Sequence, residues 1–178
     1  MSTQTPNLNL TKPGQGETGW RDALNANWDT LDAMSYVRTC IFWNLLTGQP
    51  ETIIQGTWYR QQDSTRLDCG EFRNPTIANG DGFICKCRCP AGTYTLRFNA
   101  VKHTDGGIVK IYIDDVQVGN AGGYDLYAGA TDVLNIIEIT GLTLAAGEHS
   151  LKFIEDGKNA SSTGYRLRTS GIWLQRTA

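Results

Sequence analysis

Histidine, charge and long apolar runs are all scarce in this chain. Its 178 residues include two histidines, His103 and His149, and only 19% are charged, with 16 Lys and Arg against 18 Asp and Glu. Two histidines leave few candidates for imidazole acid–base chemistry. No basic block is available to neutralise phosphates, so nucleic acid is not expected as a partner. The longest apolar run, Cys40 to Leu46, is interrupted by Asn44 and falls well short of the ~18 residues of a membrane span, so no membrane partner is expected either. The opening MSTQTPNLNL has neither a basic start nor an apolar core, and no secretory signal is expected. The sequence contains no phosphate loop ending in Lys-Ser/Thr and no G-x-G-x-x-G, H-E-x-x-H or G-x-S-x-G. The expectation is of a protein that is not an enzyme, with no catalytic residue, cofactor or metal.

Glycine, in contrast, is abundant. Twenty residues in 178, about 11% against an average near 7%, point to many turns. Cysteine is odd in number: Cys40, Cys69, Cys85, Cys87 and Cys89 cannot all pair within one chain. On an extended strand the last three share one face, with Lys86 and Arg88 on the other. They read either as small apolar residues on a buried face or as disulfide partners, including between subunits in an oxidising medium. Zinc fits poorly, because same-face cysteines two apart lie about 6.5–7 Å from each other.

Residues 1–19 are polar and rich in Pro and Gly, and read as an extended arm. From Trp20 to Met34 the period changes. Trp20, Leu24, Trp28 and Leu31 fall on one side of a helix and Arg21, Asp22, Asn25, Asp29 and Asp32 on the other. So short an amphipathic helix is marginal alone and needs a partner surface. Leu24, Asn27, Leu31 and Met34 also fit a short heptad seam, so packing on its own chain and self-association both stand open. Thr47-Gly48-Gln49-Pro50 reads as a break. The division expected is therefore an anchor over 1–48 and a second domain over 49–178.

Beyond the break the period is two. Strands are expected over Ile54–Gln61, Phe83–Cys89, Gly92–Val101, Ile108–Asp114, Val133–Thr140, His149–Ile154 and Tyr165–Arg176, with Asp114-Asp115 turning the chain into Val116–Val118. In the last strand Leu167 and Ile172 lie five apart, so their faces match only if Ser170 or Gly171 supplies a bulge. About eight strands with no helix between them make a mainly β protein, an antiparallel two-sheet β-sandwich of jelly-roll type.

Candidate sites are few. His149 lines up with Leu151 and Phe153 and reads as a structural histidine. Asn79–Gly82, Asp114-Asp115 and Asp156–Asn159 carry oxygen donors of the kind calcium takes, yet the same residues are what tight turns require. The stretch Gly119 to Asp132 (GNAGGYDLYAGATD) is long and Gly-rich, and carries Tyr124 and Tyr127. Such rings offer flat faces for a sugar to stack on, or serve loop packing or a subunit contact. Trp58, Tyr59, Tyr165 and Trp173 lie on strands, where at least half are expected to fill the core.

The segment Pro6 to Asp32, PNLNLTKPGQGETGWRDALNANWDTLD, resembles one found near the N-terminus of tailed-bacteriophage structural proteins: an "N-L-x-L-x-K-P" arm, then "G-E-T-G-W-x-D-x-[IL]-N-x-N-[FW]-D-x-L-D". The resemblance implies a virion-anchoring role for Trp20, Asp22, Leu24, Asn25, Asn27, Trp28 and Leu31. It also implies other phage structural proteins as partners, a place on the particle surface, and a homo-oligomer, with a trimer favoured. Pro90–Phe98 (PAGTYTLRF), Ile111–Asp115, Leu144–Phe153 and Ser170–Arg176 are loosely similar to the jelly-roll folds of carbohydrate-binding modules and phage adhesin heads. A sandwich that contacts host-surface polysaccharide through loops such as 119–132 is therefore expected, or else a capsid decoration protein with no ligand of its own.

Overall fold

The computed structural model describes residues 3–4, 11–12, 40–43, 52–61, 71–73, 78–130 and 133–177. The chain divides into two compact units, Met1–Arg38 and Thr39–Ala178. In the first, β1 (Thr3–Gln4) pairs antiparallel with β2 (Thr11–Lys12). The helix expected over Trp20–Met34, and with it every anchoring residue named above, lies outside the described residues, as does Cys69.

The second unit is an antiparallel two-sheet β-sandwich. Its strands are β3 (Cys40–Trp43), β4 (Thr52–Gln55), β5 (Tyr59–Gln61), β6 (Glu71–Arg73), β7 (Gly82–Cys89), β8 (Gly92–Lys102) and β9 (Gly107–Ile113). They continue with β10 (Val116–Val118), β11 (Tyr124–Asp125), β12 (Val133–Leu144), β13 (Gly147–Lys158) and β14 (Arg168–Arg176). One sheet has the order β10-β9-β13-β7-β4, with β11 also on β9; the other has β12-β8-β14-β6-β5, with β3 also on β14. Because β3 belongs to this second sheet, the first unit ends at Arg38 and not near residue 48.

Alternation decides which side chains enter the core. On β8, Tyr94, Leu96, Phe98 and Ala100 face inward, and on β9 Val109, Ile111 and Ile113 do. Cys85, Cys87 and Cys89 are buried on the inward face of β7, while Lys86 and Arg88 are exposed. That is the apolar reading of those three cysteines; Cys40 lies on β3. At the centre Phe153 of β13 stacks on Phe83 (5.1 Å, 21°) and, across the gap between the sheets, on Phe98 (4.8 Å, 22°). Trp58 meets Phe83 edge-on at 4.9 Å, a favoured geometry for aromatic quadrupoles.

Two local features follow from single residues. The register of β14 against β8 shifts between Thr169 and Gly171, and this bulge is what lets Leu167 and Ile172 both reach 0% exposure. The strand expected over Ile54–Gln61 is instead two, β4 in one sheet and β5 in the other. The break falls at Gly56, whose φ of +88° is a conformation open to glycine and strained for other residues.

At the sandwich end where β13 begins, His149 is buried and bonded at both ring nitrogens: Nδ1 to Asp114 Oδ2 (2.6 Å) and Nε2 to the Ala145 carbonyl (2.9 Å). Burial opposes its charge, but these bonds outweigh it and its pKa lies above the ordinary value. Asp114, with Asp115, holds positive φ (50° and 65°) in the turn between β9 and β10. It also accepts from Ser150 N (2.8 Å). The structural reading of His149 holds.

Candidate functional site

At the opposite end of the sandwich, three loops are tied into one surface through their backbones. The loop at 103–107 is central. His103 N donates to Leu126 O (2.9 Å), Ala128 N to His103 O (3.1 Å) and Leu126 N to Gly107 O (2.8 Å). On its other side Thr163 N donates to Thr104 O (3.1 Å), Arg166 N to Asp105 O (2.8 Å) and Gly107 N to Arg166 O (3.2 Å). Every one of these groups would otherwise need water, so 103–107, 124–128 and 159–166 hold each other in place largely through bonds between loops.

Side chains reinforce the ladder. Asp125 accepts from Tyr127 N (2.8 Å) and from Asn159 Nδ2 (2.6 Å). Ser162 Oγ donates to Gly106 O (2.8 Å) and accepts from Gly164 N (3.3 Å). Asn79 Oδ1 accepts from Gly157 N (2.7 Å), which adds the loop before β7. Asp105 is buried, pairs with His103 Nδ1 and lies 3.0 Å from Arg166 Nη2. This fixes the His103 ring and leaves Nε2, among the described residues, with no partner. Tyr127 and Tyr165 are half-buried here, and Lys158 Nζ lies 5.1 Å above the Tyr165 ring.

The two tyrosines singled out from sequence have different surroundings. After β10 the chain makes an excursion at Gly119–Gly123, both ends at positive φ, and returns to the same edge of β9 as β11. Tyr124 closes that excursion: its ring packs against the core, and its hydroxyl accepts from Asn120 N (3.1 Å). Tyr127 lies one step on, bridged to His103. Sequence reasoning did not single out His103, Asp105 or Arg166 as site residues, and weighed Asn159 only as an oxygen donor in a turn. They are distant in the chain and match no motif; only the loop topology unites them.

The acidic turns act as turns. Asp115 pairs with Lys152 (2.6 Å) and Asp156 with Lys110 (2.5 Å). Among the described residues no three of His, Cys, Asp and Glu come together as a metal would need. Two acids are different: Asp81, just before β7, and Glu155 of β13, each 1% exposed, lie beneath the loop end and are joined through their backbones. Burial first, and then the charge on Asp81, push the Glu155 pKa well above the ordinary carboxyl range.

No protein-family model matches the chain, and no curated protein matches it in sequence. Among solved structures it is similar to part of a xanthan lyase from Paenibacillus, at 19% identity and a TM-score of 0.67, over 80% of this chain and 14% of that one. Looser likenesses join it to the CBM36-1 domain of a multidomain xylanase from the hindgut metagenome of Trinervitermes trinervoides (13% identity, TM-score 0.49, 73% of this chain and 95% of that). They extend to a family 35 carbohydrate binding module from Clostridium thermocellum (19%, 0.45, 68% and 90%). At such identities the xanthan lyase likeness is one of fold, the two-sheet sandwich, and the looser two add nothing to it. The chain spans about one-seventh of the xanthan lyase.

Proposed function

We propose that this is a bacteriophage virion surface protein, not an enzyme, anchored by its N-terminal segment and displaying a sandwich whose loop end binds host-surface glycan. The observation that carries the glycan part is the surface built by 103–107, 124–128 and 159–166. A rigid scaffold holds loops bearing two half-buried tyrosines, a fixed imidazole and an Asn, which is the mixture of flat apolar faces and oriented polar groups that saccharides call for. Tyr127 and Tyr165 supply stacking faces and His103 Nε2 a hydrogen bond; Tyr124, proposed from sequence as a second stacking ring, shapes the loop. The likeness of fold to part of a xanthan lyase is consistent with a polysaccharide ligand. The anchor rests on the Pro6–Asp32 resemblance, and a trimer is proposed on the same ground.

Tyr127→Ala is expected to weaken binding of host polysaccharide by about 1 kcal/mol, roughly fivefold in Kd, with the fold unchanged. Titration calorimetry of the full chain and the variant measures this; equal affinities would remove Tyr127 from the site. Deleting residues 1–34 is expected to leave a folded sandwich that no longer enters particles, and normal incorporation of the truncated protein, read on gels of purified virions, would contradict the anchor.

One observation favours the second reading, a capsid decoration protein without a ligand. On β12, the outermost described strand of its sheet, Leu134 (46%) and Ile136 (56%) are exposed, with Val133 at its start 44% exposed, and apolar side chains on a strand edge suit a protein neighbour.

A further inference from the structure

Two residues beyond Phe153, on the same inward face of β13, comes Glu155. Its side chain is interior: 1% exposed, with both carboxyl oxygens lacking a hydrogen-bond partner among the described residues. The space it occupies is cut for it. A Cβ at Gly107 would lie 2.7 Å from Glu155 Cδ and 3.1 Å from Tyr165 Cα, so the acid fits only because residue 107 has no side chain. Its backbone is also committed to the loop end. Glu155 N donates to Asp81 O, and Gly80 N to Glu155 O, both at 2.8 Å. Asp81, just before β7, is buried too, and its carboxylate accepts from Gln55 Nε2 (3.3 Å) and Ala78 N (3.4 Å).

An ionised carboxylate with no donor is among the least tolerable buried groups, and a second acid facing it makes ionisation harder. The ionisable groups on the elements that adjoin Glu155 are Asp81 before β7, Asp105 and His103 in the 103–107 loop, Tyr165 and Arg166 in the 159–166 loop, Lys158 at the end of β13 and Arg168 at the start of β14. Asp105, His103 and Arg166 are engaged with one another, and Lys158 lies over Tyr165. β9 contributes only Gly107 and Val109. Among the described residues none of these groups donates to the Glu155 carboxyl.

We propose that the loop end stays closed only while Glu155 keeps its proton, and that losing the proton releases the loops 103–107 and 159–166 from the end of the sandwich. The release is local because the carboxyl lies between the aromatic core and the loops. Phe153 and the rings around it are packed tightly, whereas the loops are held by a ladder of single hydrogen bonds, and local opening draws on the weaker region. The sign follows from burial. The closed state holds the proton to higher pH than the open state, where a solvated glutamate titrates near about 4.3. Closure is therefore complete below that value and weakens as pH rises toward the native pKa. The latch stands whether or not a glycan binds at the loops.

Native-state hydrogen exchange on the full chain tests it, with rates converted to protection factors so that ordinary base catalysis is removed. Protection of the Gly107, Leu126, Thr163 and Arg166 amides is expected to fall by up to about tenfold per pH unit above pH ~5, as one proton's linkage requires. Core amides such as Leu96 and Ile111 should stay unchanged. In Glu155→Gln, which has nothing to ionise, loop protection should be flat with pH. An equal pH slope in the glutamine variant, a flat wild type, or a slope shared by the core amides would each overturn the latch. A direct reading that needs no variant is the carbon-13 shift of the Glu155 carboxyl in the native protein. A midpoint well above the usual range supports the proposal, and one near 4.3 refutes it.

Discussion

Replacing Phe153 with alanine is expected to destabilise the sandwich by about 3–5 kcal/mol. The ring is fully buried and, among the described residues, links the two sheets through an aromatic stack, on Phe83 of its own sheet and on Phe98 of the other. Its removal takes away burial and leaves a gap that neither rigid sheet can close. Against a typical total of about 5–15 kcal/mol, such a loss brings the domain near its unfolding midpoint. Urea titration followed by tryptophan fluorescence measures the change. Ile136→Ala, on an exposed face of β12, is the matched comparison and is expected to change stability by less than about 0.5 kcal/mol. Similar losses in both variants would mean that the core is not where the stack is.

Gly106→Ala is expected to dismantle the loop end. A Cβ there would overlap the Leu126 carbonyl and lie 3.0 Å from Tyr127 N. Those are backbone atoms, which cannot rotate aside, so 103–107 and 124–128 must separate. The bonds from His103 N to Leu126 O, Leu126 N to Gly107 O and Ser162 Oγ to Gly106 O are the ones at risk. At roughly 1 kcal/mol net for each, a loss of about 2–4 kcal/mol follows, and glycan binding should fall below detection. Gly129→Ala in the same stretch meets nothing within 4 Å and should be silent. Calorimetric melting of the two variants decides it: an unperturbed Gly106→Ala would show that the loops are not locked as described.

Much of the sandwich was legible because period-two alternation reports burial directly. It identified the inward row of β8, the cysteine row of β7 and, from the five-residue step between Leu167 and Ile172, the bulge in β14. Alternation is blind to which sheet a strand joins. That is why the break at Gly56, where the chain leaves one sheet for the other, was not visible in a run that alternates on both sides of it. The long stretch 119–132 was recognised as more than a hairpin, but its return to β9 as β11 depends on pairing between distant residues. The loop end was the least legible part. Tyr127 was in view because tyrosine in a glycine-rich stretch stands out. His103, Asp105 and Arg166 meet only through loop topology, and Glu155, just past an expected strand end, carries no local sign that it turns inward.

The central claim, that the surface formed by 103–107, 124–128 and 159–166 binds glycan, is tested most directly by amide chemical-shift mapping of the full chain during titration with host surface polysaccharide. Saturable shifts confined to those three loops are the predicted result. Absence of saturation, or shifts gathered along β12, would contradict it.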